Sequence, residues 1–483
     1  MSVALALSAV VAVAIGLTVV RGLWPGSVDL RPYRFLVAAL AVGVGLGITA
    51  VGLFCWLSLL GLPDRKLIAV ELVVLSLLSV WLTRSQRGKA PAVPAIGPVR
   101  QTMPSTTARV AALAFAVTLG CAMAAFIGLS ASRPHGAWDA WMNWNLRARL
   151  IFRGGPEWRV AFSPLLEWSH PDYPLLVQAS VVRTWVYNGG ETLAGPALIA
   201  FLFAFATVGL ATSAVASFRG RTQGMLAGLV LLSTPFFIFH GISQYGDVPV
   251  GFFFLSTLVL LALHERHGER TSGFAVLAGL TAGLAAWTKN EGVLFIAAFV
   301  LSGVVTSKRA GSGRSLAKEA GAFALGLLPM LLIVGYFKVR FAPPNDLMST
   351  IGSGETLARL TDPQRYLLVA KAYLSGVARF GFNGLVSAVP LLVAYGLCAG
   401  VRPGEATKRW FRLTVVTVAL VLAGHAVVFI VTTEDVARLL NSSLERLLLQ
   451  LWPAVVFAWF MLLADAEEAK VEPRRSPAEA VSP

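Results

Sequence analysis

The chain has 483 residues, of which 56% are hydrophobic and only 13% are charged. A soluble protein of this length cannot bury that much apolar surface, so the composition excludes a soluble globular protein and favours one that crosses a membrane repeatedly. The formal net charge of +15 would suit nucleic-acid binding, but the basic residues cluster in short loops between apolar runs and no nucleic-acid-binding motif accompanies them. We therefore expect no nucleic-acid partner.

Apolar runs long enough to cross a bilayer recur along the whole chain. Since a transmembrane helix needs about 20 consecutive apolar residues, these runs predict an all-α polytopic membrane protein with about 13 spans. The segment 171–187 is apolar but short, begins with a proline-containing turn and carries Arg183, so we assign it to the membrane interface. The predicted spans lie at about 3–20, 35–60, 66–83, 108–130, 192–217, 223–240, 247–264, 272–288, 291–307, 319–340, 382–400, 413–432 and 446–464.

The charges of the loops predict the orientation. Alternate loops are rich in Lys and Arg, as cytoplasmic loops usually are, which places the N-terminus outside and the C-terminal tail inside the cell. The opposite loops, which include 131–191, 341–381 and 433–445, then face outward. Nearly every unusual polar cluster of the chain falls in these outward loops, so we expect one site on the outer face of a multi-pass cytoplasmic membrane protein.

Three regions follow from this pattern. Residues 1–107 hold three spans with few unusual charges and are predicted to form an accessory bundle. Residues 108–464 carry the polar outward loops and are predicted to be the functional region. The charged, proline-containing tail 465–483 is predicted to be disordered in the cytoplasm. The abundance of Ala, Val, Leu and Arg suggests a bacterial source.

The segment 138–147 follows the fourth span and, at about 100° per residue, separates into two helical faces. Asp139, Asn143 and Arg147 share the polar face. We interpret Asp139 as a catalytic or metal-binding carboxylate, the alternative being a solvated or capping acid. Asn143 and Arg147 would orient an acceptor or hold a phosphate, while Asn145 falls on the opposite face, which we expect in the headgroup layer. The tryptophans of that indole face are Trp138, Trp141 and Trp144.

Two further outward segments carry candidate site residues. The prolines of 169–174 fix a rigid entry into the following helix, where His170 and Asp172 either line the site or simply begin the helix. Asp247 opens a span after the tight turn 240–247 and is either a helix cap or a second active-site acid.

Charged residues also flank the spans farther along the chain. Lys289 and Glu291 stand in a turn between two spans, either as a solvated pair or with Lys289 on a lipid phosphate. Arg446 begins the last predicted span, where it either snorkels to the interface or grips a phosphate bidentately.

The order of these motifs resembles that of the GT-C glycosyltransferases, a multi-spanning superfamily that includes protein O-mannosyltransferases and lipid A aminoarabinose transferases. The resemblance covers roughly 108–464 and looks closest to bacterial family 39-like and RgtA/B/C/D-like members. The motifs that carry it are an outward acid after an early span, His-Pro-x-Tyr-Pro at 170–174, Tyr-Gly-Asp at 245–247, Thr-Lys-x-Glu-Gly at 288–292 and Leu-x-Arg at 444–446.

The resemblance implies a GT-C-like bundle with exoplasmic juxtamembrane helices and a polyprenyl-phosphate-linked sugar as donor. It places Asp139 in the position of the essential first-loop acid and Asp247 in that of a later acid. His170, Asp172 and Tyr173 match the loop after the first acid, and Lys289 and Glu291 match the turn near the donor. The family often has a pair of acids in the first loop where this chain has only Asp139, which leaves a divalent metal cofactor open.

The leading hypothesis is an inverting glycosyl transfer to a glycan, lipid or protein acceptor at the outer membrane face, with membrane lipids around the site. Asp139 would act as general base, and Lys289, Arg446 or Arg147 would stabilise the leaving lipid phosphate. The alternative is a transporter or flippase for a lipid-linked sugar, although no inverted repeat or midplane charge favours it. A structural membrane subunit would leave the one-sided polar clusters unexplained.

Overall fold

The computed structural model describes residues 2–86, 106–268, 271–307, 313–344, 354–382, 384–406 and 408–464. In these ranges the regular structure is helical, apart from an isolated bridge between Val401 and Leu463. The prediction of an all-α membrane protein is confirmed at this level. The tail 465–483 lies outside the described residues, and so does part of the predicted loop 341–381.

Nineteen helices are described, and we number them in chain order. The first ten are α1 Val3–Leu23, α2 Arg34–Leu60, α3 Lys66–Gln86, α4 Thr106–Ser132, α5 Asn145–Arg153, α6 Leu176–Asn188, α7 Ala194–Arg219, α8 Arg221–Leu232, α9 Pro235–Ile242 and α10 Asp247–His267. The others are α11 Ser272–Thr288, α12 Asn290–Ser307, α13 Gly313–Arg340, α14 Gly354–Leu360, α15 Pro363–Arg379, α16 Ala388–Ala399, α17 Pro403–Ala406, α18 Arg409–Val431 and α19 Val436–Leu462.

Among the described residues, nine helical segments are long and apolar enough to cross a membrane, or ten if α8 and α9 together form one broken span. The helices α11, α12 and α16 are apolar but shorter. A total of about 13 spans therefore stays a prediction, as do the orientation and the identity of the membrane.

Two predicted elements differ from the structure. The single span predicted at 223–240 is two helices bent by 64°, because Pro235 has no amide hydrogen to continue the helix begun by α8. The outward loop predicted at 433–445 is largely the start of α19, since the Asp435 carboxylate caps that helix by accepting from the Arg438 amide at 2.7 Å.

Helix α6 corresponds to the ambiguous segment 171–187. At 13 residues it is about 20 Å long, shorter than the hydrocarbon core of a bilayer. Residues 176–187 are all buried against the rest of the protein, and the assignment of this segment to the membrane interface stays a prediction. Arg183 of α6 reaches Glu71 of α3 with two bonds of 2.7 and 2.6 Å, which ties α6 to the N-terminal helices.

Glycines permit the closest helix crossings in the bundle. A Cβ at Gly16 of α1 would stand 2.0 Å from the Ala41 carbonyl oxygen of α2, and a Cβ at Gly279 of α11 would stand 1.9 Å from the Phe323 carbonyl oxygen of α13. Such small residues let backbones approach where lipid offers no hydrophobic drive for helix association. The result is a rigid frame for the polar residues at one end of the bundle.

Candidate functional site

The segment after α4 does not form the regular α-helix assumed in the sequence analysis. Residues Ala140–Trp144 form a π-helical turn, which holds more residues per turn and rotates everything that follows. Trp144 therefore points inward, is fully buried and stacks on Tyr173 at 5.7 Å. Trp138 and Trp141 are exposed and meet edge to face at 4.5 Å. The predicted indole face is thus wrong for Trp144.

The packing of Trp144 also explains the glycine in the Tyr-Gly-Asp motif. A Cβ at Gly246 would lie 2.6 Å from the Trp144 ring, so only glycine allows this indole to approach the start of α10. This contact between Trp144 and Gly246 packs the π-helical turn, with Asp139 just before it, on the first turn of α10. Asp247 lies in that first turn, where a carboxylate also interacts favourably with the helix dipole.

Arg147 and Asn143 are buried beneath the loop 169–173. The Arg147 guanidinium donates to the Asn143 side-chain oxygen at 2.9 Å and to the backbone carbonyls of Ser169, His170 and Tyr173. Burial lowers the pKa of Arg147 to about 10, which leaves the group charged at neutral pH. These contacts hold the loop in place and leave Arg147 beneath it, away from the charged side chains described next.

Five predicted site residues meet in one group, which we call the charged cluster: Asp139, Asp247, Lys289, Glu291 and Arg446. They come from the residue before the π-helical turn, the start of α10, the residue between α11 and α12, the first turn of α12, and α19. The sequence separations are large, so only the fold brings them together. Three carboxylates and two cations make the cluster formally one charge negative.

Arg446 joins the two acids that were predicted as catalytic. Its Nη1 lies 2.7 Å from Asp139 Oδ2, while Nε and Nη2 each lie 3.1 Å from Asp247 Oδ2. The side chain of Asp139 is 30% exposed and that of Asp247 is 0% exposed. Asp139 is therefore the accessible acid, and Asp247 is a buried anchor for the guanidinium.

Lys289 lies behind Arg446 in the cluster. Its ammonium is 2.9 Å from Asp247 Oδ1 and 2.7 Å from Glu291 Oε1, and its side chain is only 3% exposed. Burial alone would lower the pKa of Lys289, but the carboxylates of Asp247 and Glu291 raise it above the usual value. Gln450 completes this layer by donating to Asp247 Oδ1 at 2.7 Å.

The remaining predicted residues lie beside the cluster. Asp172 accepts from Asn290 at 2.7 Å and is 3.5 Å from the Lys338 ammonium. Tyr173 follows Asp172 in the chain, and the Lys289 ammonium lies 5.6 Å from the centre of its ring. Burial raises the pKa of the Tyr173 hydroxyl. His170 is exposed, adopts a left-handed conformation with φ of 48° and stacks on Tyr173.

Three residues of the site were missed by the sequence analysis. Gln450 stands one helical turn after Arg446, so spacing on α19 indicates that they share a face. Tyr245 belongs to the Tyr-Gly-Asp motif, lies under Arg446 at 4.8 Å and accepts from the Asp139 amide at 3.2 Å. Nothing in the sequence near Lys338 indicated that it belongs to the site, because its partner Asp172 is 166 residues away in the chain.

Among the described residues, no group of three or more His, Cys, Asp and Glu side chains is placed to hold a metal ion. The two acids predicted as catalytic are instead bridged by Arg446.

In comparisons with known proteins, no protein-family model, no curated protein and no solved structure matches this chain.

Proposed function

We propose that the chain is a membrane glycosyltransferase that moves a sugar from a polyprenyl-phosphate donor to an acceptor hydroxyl. The proposal is carried by one observation. A half-exposed carboxylate, Asp139, is joined at 2.7 Å to a guanidinium, Arg446, that is fixed from behind by buried charges. A base and a phosphate-binding cation thus stand side by side, as displacement of a phosphate leaving group requires.

The reaction would proceed as a single displacement. Asp139 takes the proton of the acceptor hydroxyl while the acceptor oxygen forms a bond to the anomeric carbon. The bond between that carbon and the phosphate oxygen breaks, its electron pair stays on the phosphate, and Arg446 stabilises the departing negative charge. Attack opposite to the leaving group inverts the anomeric configuration.

Arg446 has a second task in this proposal. Without donor, its Nη1 holds Asp139 Oδ2 at 2.7 Å, so this carboxylate oxygen is not free to meet an acceptor hydroxyl. A donor phosphate competes for the same guanidinium face, since Arg binds phosphate and carboxylate with the same fork of donors. Donor binding therefore frees Asp139 for the acceptor.

The other members of the cluster act as positioning residues. Asp247 is fully buried, with Lys289, Arg446 and Gln450 on its oxygens, so it holds the cations and does not meet substrate. Arg147 likewise holds the loop 169–173 rather than the phosphate. Lys289 is only 3% exposed, so it adds positive potential to the site and orients the carboxylates of Asp247 and Glu291 without contacting substrate.

The setting of the cluster is compatible with a membrane-embedded donor. Asp247, Lys289 and Glu291 lie at the ends of apolar helices, Arg446 lies within α19, and the exposed pair Trp138 and Trp141 adjoins Asp139. Indoles favour the headgroup layer, where the phosphate of a lipid donor resides. We place this end of the bundle on the outer face of a bacterial cytoplasmic membrane, on the basis of the basic loops at the opposite side.

The proposal is tested with the purified chain in proteoliposomes that contain a radiolabelled polyprenyl-phosphate sugar. We expect labelled glycoside to form when an acceptor is added, together with free polyprenyl phosphate. Movement of intact labelled donor between leaflets without any glycoside would contradict the proposal and identify a translocator instead.

A further inference from the structure

Three helices each place a polar side chain with a buried, unsatisfied atom at or beside the charged cluster. Glu291 Oε2 on α12, Gln450 Oε1 on α19 and both ring nitrogens of His425 on α18 have no hydrogen-bond partner among the described residues. Gln450 is 0% exposed and His425 is 4% exposed. Buried polar atoms normally have partners, so such a concentration needs an explanation.

These atoms belong to one place. The Gln450 amide nitrogen is 3.3 Å from Glu291 Oε1, so the two side chains that carry free oxygens contact each other. His425 is buried on α18, and α18 packs against both α12, which carries Glu291, and α19, which carries Gln450. The neighbouring Gly424 packs on Leu294, one helical turn beyond Glu291, which brings α18 against α12 at this level.

The chemistry of these atoms defines what can bind there. Glu291 Oε2 and Gln450 Oε1 only accept hydrogen bonds, so the occupant must donate. A neutral imidazole has one N–H in either tautomer, so the occupant must also accept. An ammonium group cannot accept, and a phosphate cannot donate and would be repelled by Glu291. A hydroxyl group satisfies both requirements.

We propose that Glu291, Gln450 and His425 form a subsite for one or two hydroxyl groups of a carbohydrate substrate. This inference rests on the proposed function, because it makes the pocket the part of the active site that recognises the sugar. Glu291 and Gln450 also contact the Lys289–Asp247 layer, which in turn positions Arg446. The hydroxyls come from the donor sugar or from a glycan acceptor.

Such a subsite distinguishes sugars by the hydrogen-bonding atoms of the protein that a sugar without the right hydroxyl would leave unpaired. If a sugar lacked the recognised hydroxyl, the acceptor oxygens of Glu291 and Gln450 would stay buried without a hydrogen-bond donor. That sugar should therefore bind about tenfold to a hundredfold more weakly. Sites built around a substrate hydroxyl reject the analogue that lacks it more strongly than any apolar pocket does.

The experiment uses the full chain in nanodiscs and measures binding without turnover. One arm compares polyprenyl-phosphate glucose and mannose with their 2-, 3-, 4- and 6-deoxy forms, and the other compares the corresponding methyl glycosides. Four proteins are compared: the wild type, His425→Phe, His425→Asn and the control Thr417→Val. Thr417 lies two turns away on α18 and bonds to Ser302, so its substitution perturbs a buried hydroxyl of the same helix outside the pocket.

We expect one deoxy form in one arm to bind at least about tenfold more weakly than its parent to wild type and Thr417→Val. His425→Phe should remove most of that difference, and His425→Asn should restore part of it if the Phe variant folds poorly. The arm in which the difference appears identifies donor or acceptor as the source of the hydroxyl.

Equal binding of parents and deoxy forms, or discrimination unchanged in both His425 variants, would overturn the subsite and indicate an ordered water only. Failure of every parent to bind would also contradict it. The proposed function fails separately. If the deoxy forms bind more weakly than their parents but no sugar is transferred, the subsite stands and the transferase proposal fails. If sugar is transferred but parents and deoxy forms bind equally, the transferase proposal stands and the subsite fails.

Discussion

Replacement of Arg446 by lysine tests the bridge between the two acids most selectively. Lysine keeps the positive charge but concentrates it on one nitrogen, whereas the guanidinium reaches Asp139 with Nη1 and Asp247 with Nε and Nη2. A lysine nitrogen that stays on buried Asp247 must release Asp139. The variant should fold, because Asp247 keeps two cations, and should fail in catalysis.

The size of the effect follows from the contacts. Arg446→Lys loses the planar fork whose Nη1, now 2.7 Å from Asp139, would donate a hydrogen bond to the donor phosphate. A hydrogen bond to a charged group contributes about 1.5–3 kcal/mol. At about 1.4 kcal/mol per factor of ten, transfer should fall about 10- to 100-fold in kcat/KM.

The assay is sugar transfer under substrate-limiting conditions, with thermal melting of each protein in the same detergent. Arg153→Lys is the matched control, because Arg153 also contacts a carboxylate, Glu191, through two nitrogens but at an exposed position. We expect it to retain transfer within about twofold, since exposed ion pairs contribute little. Transfer by Arg446→Lys within twofold of wild type would refute the bridging role, as would an equal loss in Arg153→Lys.

Two further predictions concern stability, measured by thermal or denaturant unfolding in detergent. Trp144→Ala should lower the free energy of unfolding by about 3–5 kcal/mol, because the ring is fully buried. Trp138→Ala, whose ring is 60% exposed, should change it by less than about 0.5 kcal/mol. Similar losses in the two variants would favour a regular α-helix over the π-helical turn. Glu71→Gln should cost about 3–5 kcal/mol because it leaves the Arg183 charge buried without its partner. Asp64→Asn, in the exposed pair with Lys66, should cost little. A stable Glu71→Gln protein would contradict the ion pair as the tie between α3 and α6.

Much of the fold was predictable because hydrophobic length is a strong signal in membrane proteins. The helices α11 and α18 lie close to the predicted spans 272–288 and 413–432. The break between α8 and α9 was missed because the run stays apolar through it, although Pro235 was a visible stop signal.

The sequence singled out the charged residues that the fold brings together, but not their arrangement. Asp139, Asp247, Lys289 and Arg446 stood out because charge beside an apolar span is costly. The orientation of Trp144 could not be predicted, since a π-helical turn has no strong sequence signature and shifts every later side chain. The bridge by Arg446 depends on a contact across 199 residues, which one sequence cannot reveal.

The measurement that tests the central claim most directly compares wild type with Asp139→Asn in transfer of labelled sugar from a polyprenyl-phosphate donor. Asparagine keeps the shape of the side chain but cannot take the acceptor proton. The proposed mechanism predicts that the wild type forms glycoside with inverted anomeric configuration and that Asp139→Asn loses about 100- to 10,000-fold in kcat while melting near the wild-type temperature. Unchanged turnover in Asp139→Asn, or retained configuration in the product, would contradict the mechanism.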